Sequence, residues 1–217
     1  MSIAMSVDDF DDLPRRPRIV GAQLPPPNRC APIWNGPVHA GEFSPPNPMV
    51  WLLGATGGAG VSVLTRSLAY AGDCGRTWPS HVGPDAQSPL VIIVARTTMH
   101  GLTCAHDLLL QHAAGGTPQG VEVLGAITVA DSDRPLSKPV RHHIGLITSL
   151  AGACWDVPWI EPWRVMRHNE LPAWGPGSTI PATKKDRSDH RQVPPAPVID
   201  LYDRIRAAAR MRITTLT

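Results

Sequence analysis

The 217-residue chain carries 20 Lys and Arg against 18 Asp and Glu, a net charge of +2, so no global basic field directs it to nucleic acid. No apolar run approaches the roughly 20 residues that span a bilayer. The acidic opening (Asp8, Asp9, Asp11, Asp12) has no cationic stretch ahead of an apolar one and does not read as a secretory signal.

Ten of the 24 prolines fall in residues 1–48, including Pro25-Pro26-Pro27 and Pro45-Pro46. That composition predicts a disordered arm, too poor in apolar surface to offset the entropy of ordering. Its acidic cluster and Arg15, Arg16 and Arg18 read as a solvated linker, with a short partner-binding motif as the alternative. Six more prolines in residues 172–197 predict a second linker. Residues 49–171, about 120 in all, remain for one packed domain of ordinary size.

Met49 to Leu53 is a continuous apolar run closed by Gly54, which suits a buried parallel strand. After the glycine-rich stretch Gly54 to Gly60, apolar residues at Val61, Leu64, Leu68 and Ala71 predict a helix. Gly72 to Pro89 is rich in turn residues and predicts a loop. Leu90 to Ala95 predicts a second strand. His100 to Ala114, closed by Gly115-Gly116, predicts a second helix. Val121 to Ala130 predicts a third strand. Pro139 to Ala151 predicts a third helix, with Ile144, Ile147 and Leu150 on one face. Val157 to Trp163 predicts a fourth strand, because Pro158 and Pro162 oppose a helix. Strands alternating with helices imply parallel pairing.

Glycines between a strand and a helix let the backbone turn tightly and present its N–H groups, and the helix start adds a positive dipole end. The stretch Thr56-Gly57-Gly58-Ala59-Gly60-Val61-Ser62 resembles the deviant phosphate loop of the ParA/MinD-type ATPases, Lys-Gly-Gly-Val-Gly-Lys-Thr/Ser, in register. Val63 to Ala69 is similar to the first helix of that family. Three glycines and the hydroxyl residue are kept, but the signature lysine is Thr56 and the phosphate-reaching lysine is Val61. At pattern level the resemblance extends through Val91 to Leu102, Val123 to Val129 and Val157 to Ile160. It places Asp131 near a base-recognition loop.

Two family elements are missing from this reading. No apolar strand ending in Asp is visible between Ala71 and Leu90, so the second and third strands and the magnesium carboxylate read as deleted. Without lysine and carboxylate little remains to stabilise phosphoryl transfer. A rival reading uses the same glycines. Gly54-x-x-Gly57-x-x-Gly60 also fits the fingerprint of dinucleotide-binding Rossmann domains. That fold expects a second strand and a ribose contact about 20 residues on, and a Tyr-x-x-x-Lys pair is absent. A loop that only packs strand against helix is a third reading.

Outside the loop, His100 and Cys104 share a helix face and His106 lies nearby, too few ligands for a closed zinc site. His142-His143 reads as exposed. Cys30, Cys74, Cys104 and Cys154 are far apart and read as reduced thiols. Trp155, Trp159 and Trp163 read as aromatic packing over the last strand, or with Arg164 and Arg167 as a partner patch. Val198 to Ile213 predicts an amphipathic helix with Leu201, Tyr202 and Ile205 on one face and Arg204, Arg206, Arg210 and Arg212 beside it.

These readings combine into one expectation. The fold class is α/β, a small three-layer P-loop (Rossmann-like) domain with a mostly parallel sheet, with proline-rich arms and a C-terminal helix at 198–213. The candidate nucleotide-binding residues are Thr56, Gly57, Gly58, Ala59, Gly60, Val61, Ser62, Val63 and Asp131, with no catalytic or metal residue. The resemblance implies a non-catalytic adaptor or scaffold in a cytoplasmic assembly such as DNA partition, conjugation or secretion, binding ATP or another nucleotide weakly. Its partner would be an active ATPase or such an assembly, with membrane contact through the C-terminal helix as a further expectation and no direct binding to nucleic acid. The alternatives are an ATPase completed by a partner and an NAD(P)-binding protein.

Overall fold

The computed structural model describes residues 21–39, 44–83, 86–183 and 188–216. In chain order the regular elements are β1 (Val50–Gly54), α1 (Val61–Ser67), β2 (Ala71–Asp73), β3 (Leu90–Arg96), α2 (Met99–Ala113), β4 (Glu122–Val129), α3 (Lys138–Ala151), β5 (Cys154–Val157), α4 (Glu161–Arg164) and α5 (Ala196–Leu216), with short 3-10 turns at Pro27–Arg29 and His168–Glu170. The strands form one sheet in the order β2-β1-β3-β4-β5, and every pair is parallel.

The apolar runs explain the three central strands. β1 is buried throughout, as are β3 and β4 except at their ends. Strands covered on both faces favour parallel pairing. Alternation then divides each strand between two cores. Val50 and Leu52 of β1 with Leu90, Ile92 and Val94 of β3 face α1 and α5. Trp51 and Leu53 with Val91, Ile93 and Ala95 face α2 and α3. The result is three layers.

β4 carries one extra residue. Val91 pairs with Val123 but Ile92 pairs with Gly125, so Leu124 is a bulge. Gly125 lies under the Trp155 ring; a Cβ there would sit 2.6 Å from Cζ3. Thr98 caps α2 by accepting the Gly101 amide at 3.0 Å. Pro139 sits in the first turn of α3, and Gly152 (φ 74°) ends that helix.

Several expectations change. The helix after the glycine loop stops at Ser67, and the stretch expected as a loop from Gly72 contributes β2, parallel to β1 with Val50 opposite Ala71. Three residues, one of them glycine, are too few to show periodicity. The fourth expected strand, Val157 to Trp163, is shifted: β5 ends at Val157, and Glu161–Arg164 is a helical turn with Pro162 in its first turn, where a missing N–H costs nothing.

The proline-rich arms are not free where they are described. Residues 21–39 strap the face formed by α2. Arg29 binds Asp107, with Nε to Oδ2 at 2.7 Å. Gln111 accepts from the Ala31 amide and Trp78 Nε1, both at 2.9 Å, and donates to Ala31 O and Gly116 O, both at 3.0 Å. The backbones of Pro32, Trp34 and Trp78 exchange two bonds of 2.9 Å. Proline excludes regular structure but not packing, and side-chain amides satisfy the extended backbone here. The acidic cluster at Asp8 to Asp12 and Arg15, Arg16 and Arg18 lie outside the described residues.

In the second arm, Trp174 is buried and its amide donates to Ser67 O at 2.8 Å, while the Ala69 amide donates to Trp174 O at 3.0 Å. Val193 is buried as well. The C-terminal helix is a core element rather than a detached recruiter. Val198, Leu201, Tyr202, Ile205 and Ala209 are at most 3% exposed and join the β1–β3 core. Tyr70 donates to Tyr202 O at 3.1 Å, the two rings lie 4.7 Å apart, and Arg212 Nη2 reaches Glu122 at 2.6 Å. The stripe expected to meet a partner or a membrane is thus spent on the domain itself. Among the described residues no helix is long and apolar enough to cross a membrane.

Candidate functional site

β1 lies between β2, which follows it in the chain, and β3, which comes next after a return crossover. The connections leaving β1 and β3 diverge there, and a crevice opens at the carboxyl ends of the strands. The glycine loop occupies that crevice. Its root is pinned to both neighbours: the Gly54 amide donates to Gly75 O and the Ala55 amide to Val94 O, each at 2.8 Å. Gly58 (φ 72°) and Gly60 (φ 101°) adopt left-handed conformations that other residues rarely tolerate. Ala59 and Val61 turn inward and are buried with Val50 and Leu52. The loop backbone therefore faces outward. Among the described residues no group accepts the amides of Gly57, Gly58, Gly60, Val61 or Ser62 in hydrogen-bonding geometry.

A cavity of about 340 Å³ lies above this backbone, at the small end of the roughly 300–1,000 Å³ typical of ligand pockets. Thr56, Gly57, Gly58, Ala59, Gly60, Val61, Ser62 and Val63 all line it. Asp131 is not among its lining residues; it follows β4, and its amide donates to Thr97 Oγ1 at 3.0 Å.

Four side chains join the wall that the sequence reading did not select: Asp73, Arg76, Arg96 and His168. Asp73 ends β2 and corrects the expectation that no strand in this region closes on a carboxylate. It accepts Ser62 Oγ at 3.2 Å and the Gly75 amide at 2.7 Å. Arg96 ends β3 and bridges two loops, donating Nε to Gly58 O at 3.1 Å and Nη1 to Ala130 O at 2.8 Å. The position of Arg96, directly after an apolar run and hence at a carboxyl strand end, is the one signal that could have found it. His168 arrives from the segment after α4, and nothing in its local sequence marks it.

Comparison of the chain with models of known protein families, with curated proteins and with solved structures gives no match. The arrangement itself offers outward backbone donors, two guanidinium groups and a carboxylate on a hydroxyl, which is a chemistry for holding a phosphorylated ligand.

Elsewhere the candidate clusters divide. His100 and Cys104 come within 3.9 Å, and the rings of His106 and His143 lie 6.1 Å apart across α2 and α3. No group of three or more His, Cys, Asp or Glu positioned for a metal occurs among the described residues. Burial pushes the Cys74 thiol up strongly, and those of Cys104 and Cys154 up as well. Trp155 is buried in the β1–β3 core and Trp163 packs against it, whereas Trp159 donates Nε1 to Glu161 at 2.7 Å with the Arg164 guanidinium 5.1 Å from its ring centre.

Proposed function

We propose that the chain is a nucleotide-binding α/β module that carries out no phosphoryl transfer of its own and serves as an adaptor or scaffold, on the pattern of a degenerate ParA/MinD-type protein in a cytoplasmic assembly. The observation that carries this reading is the glycine loop at the β1/β3 switch point, its unaccepted amides facing the same cavity as Arg76, Arg96 and Asp73. Catalytic silence follows from Val61. Where the family has the lysine that reaches the phosphates, this chain has an isopropyl group packed against the base of the loop, 3.2 Å from where a Cβ on Gly54 would lie. No loop cation is left to follow charge onto the transferring phosphoryl group.

One observation favours a second reading. Asp73 ends the strand beside β1, about 20 residues after Gly54, which is the position of the ribose-binding acid in dinucleotide domains. Calorimetry with ATP, GTP, NAD and NADP, run with and without magnesium, tests both. Binding of ATP or GTP without turnover supports the adaptor reading. Magnesium-dependent hydrolysis that Gly60→Asp abolishes would sink it. Selective NAD(P) binding that weakens in Asp73→Asn would transfer the site to the dinucleotide reading.

A further inference from the structure

We infer that the charge this site has lost from its own loop is supplied by Arg96 and Arg76, which makes it a diphosphate-binding site that works without a metal ion. The inference rests on the nucleotide-binding reading above and names the group of the ligand that is held.

Arg96 projects from the end of β3, and two of its nitrogens are fixed on backbone carbonyls, Gly58 of the glycine loop and Ala130 of the segment after β4. Its third nitrogen, Nη2, has no partner among the described residues although the side chain lines the cavity. A guanidinium fixed by two bonds has already lost most of its rotamer freedom, so a third contact to a phosphate oxygen is made at little further entropic cost. Arg76 follows β2 and is exposed on the opposite wall. The cations therefore reach one cavity from the end of β3 and from the turn after β2, the strands on either side of β1, and the glycine loop lines the same cavity. That geometry suits an elongated anion with charge at both ends.

The negative wall group sets the metal requirement. Asp73 already accepts two hydrogen bonds, from Ser62 and Gly75. Its charge is partly compensated inside the wall, and Ser62 is turned toward it. Two guanidinium charges match the two negative charges of a diphosphate esterified at both ends without help from a divalent ion, and Arg forks recognise phosphate oxygens in pairs.

The test uses the full-length protein and inorganic pyrophosphate in titration calorimetry, in EDTA and again in magnesium, with orthophosphate as a control. Wild type is expected to bind pyrophosphate in EDTA, and magnesium, which chelates the anion, is expected to bring no gain. Arg76→Gln and Arg96→Gln should each weaken binding about tenfold, and the remaining affinity should depend less on salt, a change that loss of a merely structural arginine does not produce. Arg96→Lys keeps the charge and should recover part of the affinity. If Arg96→Gln fails to fold, Arg76→Gln decides alone, since the Arg96 tether is intact in it. Nucleotide binding that survives both Gln variants, or that EDTA abolishes, overturns the metal-free arginine site while leaving the nucleotide reading standing. A wild-type protein that binds neither nucleotide nor pyrophosphate overturns both.

Discussion

Replacing Ile205 by Ala tests whether α5 belongs to the core. Ile205 is 0% exposed and packs in the core that contains Val50, Leu52, Leu90 and Ile92. Truncating a buried isoleucine costs about 2–5 kcal/mol, transfer and cavity terms together. For a domain of this size each kcal/mol lowers Tm by about 2–4 °C, so the expected drop is about 4–20 °C. Arg204 is the internal control. It lies on the exposed side of the same helix, paired with Asp200 at 3.4 Å with both side chains more than half exposed, and Arg204→Ala should stay within about 0.5 kcal/mol of wild type. Thermal melts by circular dichroism and urea midpoints on the full-length protein give both numbers. An Ile205→Ala melt within a degree of wild type would refute the docking of the helix. Deleting residues 196–217 is harsher. Val198, Leu201, Tyr202 and Ile205 together represent about 6–12 kcal/mol of burial, comparable to the roughly 5–15 kcal/mol that holds a whole domain together. The truncated chain should not fold.

Two further outcomes follow from packing and burial. Gly125→Ala places a methyl 2.6 Å from the Trp155 ring and 2.8 Å from Ala153 O, so it should lower stability by about 1–3 kcal/mol in urea titrations, and an unchanged midpoint would mean that β5 yields freely. Burial holds the His106 imidazole below its ordinary value, with His143 and Arg29 adding to the drop and Asp107 opposing it. The unfolded chain then takes up the proton first, so stability is full above about pH 6.5 and falls as pH drops through that value toward the folded one. Urea midpoints measured at about pH 7.5 and pH 5 should differ less in His106→Gln than in wild type; equal differences would show that His106 contributes nothing to acid sensitivity.

How far the sequence could be read depended on whether a segment's role was written in its periodicity. β1, β3 and β4 announced themselves because strands buried on both faces must be continuously apolar, and α2 and α3 because one face of each is buried. β2 did not, because three residues with a central glycine have no pattern; Gly72 is there to admit the Trp51 ring, 2.6 Å from where its Cβ would be. The proline-rich strap was misread for a different reason. Composition judges whether a segment can fold alone, and residues 21–39 order by borrowing partners from α2, with Gln111 and Asp107 as the receiving side chains. The loop half of the site was legible from its glycines. The arginine half was not, since Arg76 and Arg96 meet the loop only after the β2-β1-β3 order is known.

That order also decides how the loop itself should be interpreted. Ala59 and Val61 anchor it from below in the core, Gly75 and Val94 hold its root, and Arg96 ties Gly58 from the side. These ties are all intramolecular. Arg96 spends two nitrogens on backbone carbonyls and keeps the third unbonded among the described residues, and Arg76 stands exposed at the same cavity, which packing alone does not require. A lysine at position 61 would have to leave the core packing that Val61 now completes. The charge of the site must therefore enter from the end of β3 and the turn after β2, and substitutions at Arg96 and Arg76 will reveal more about the protein's activity than any change to the loop.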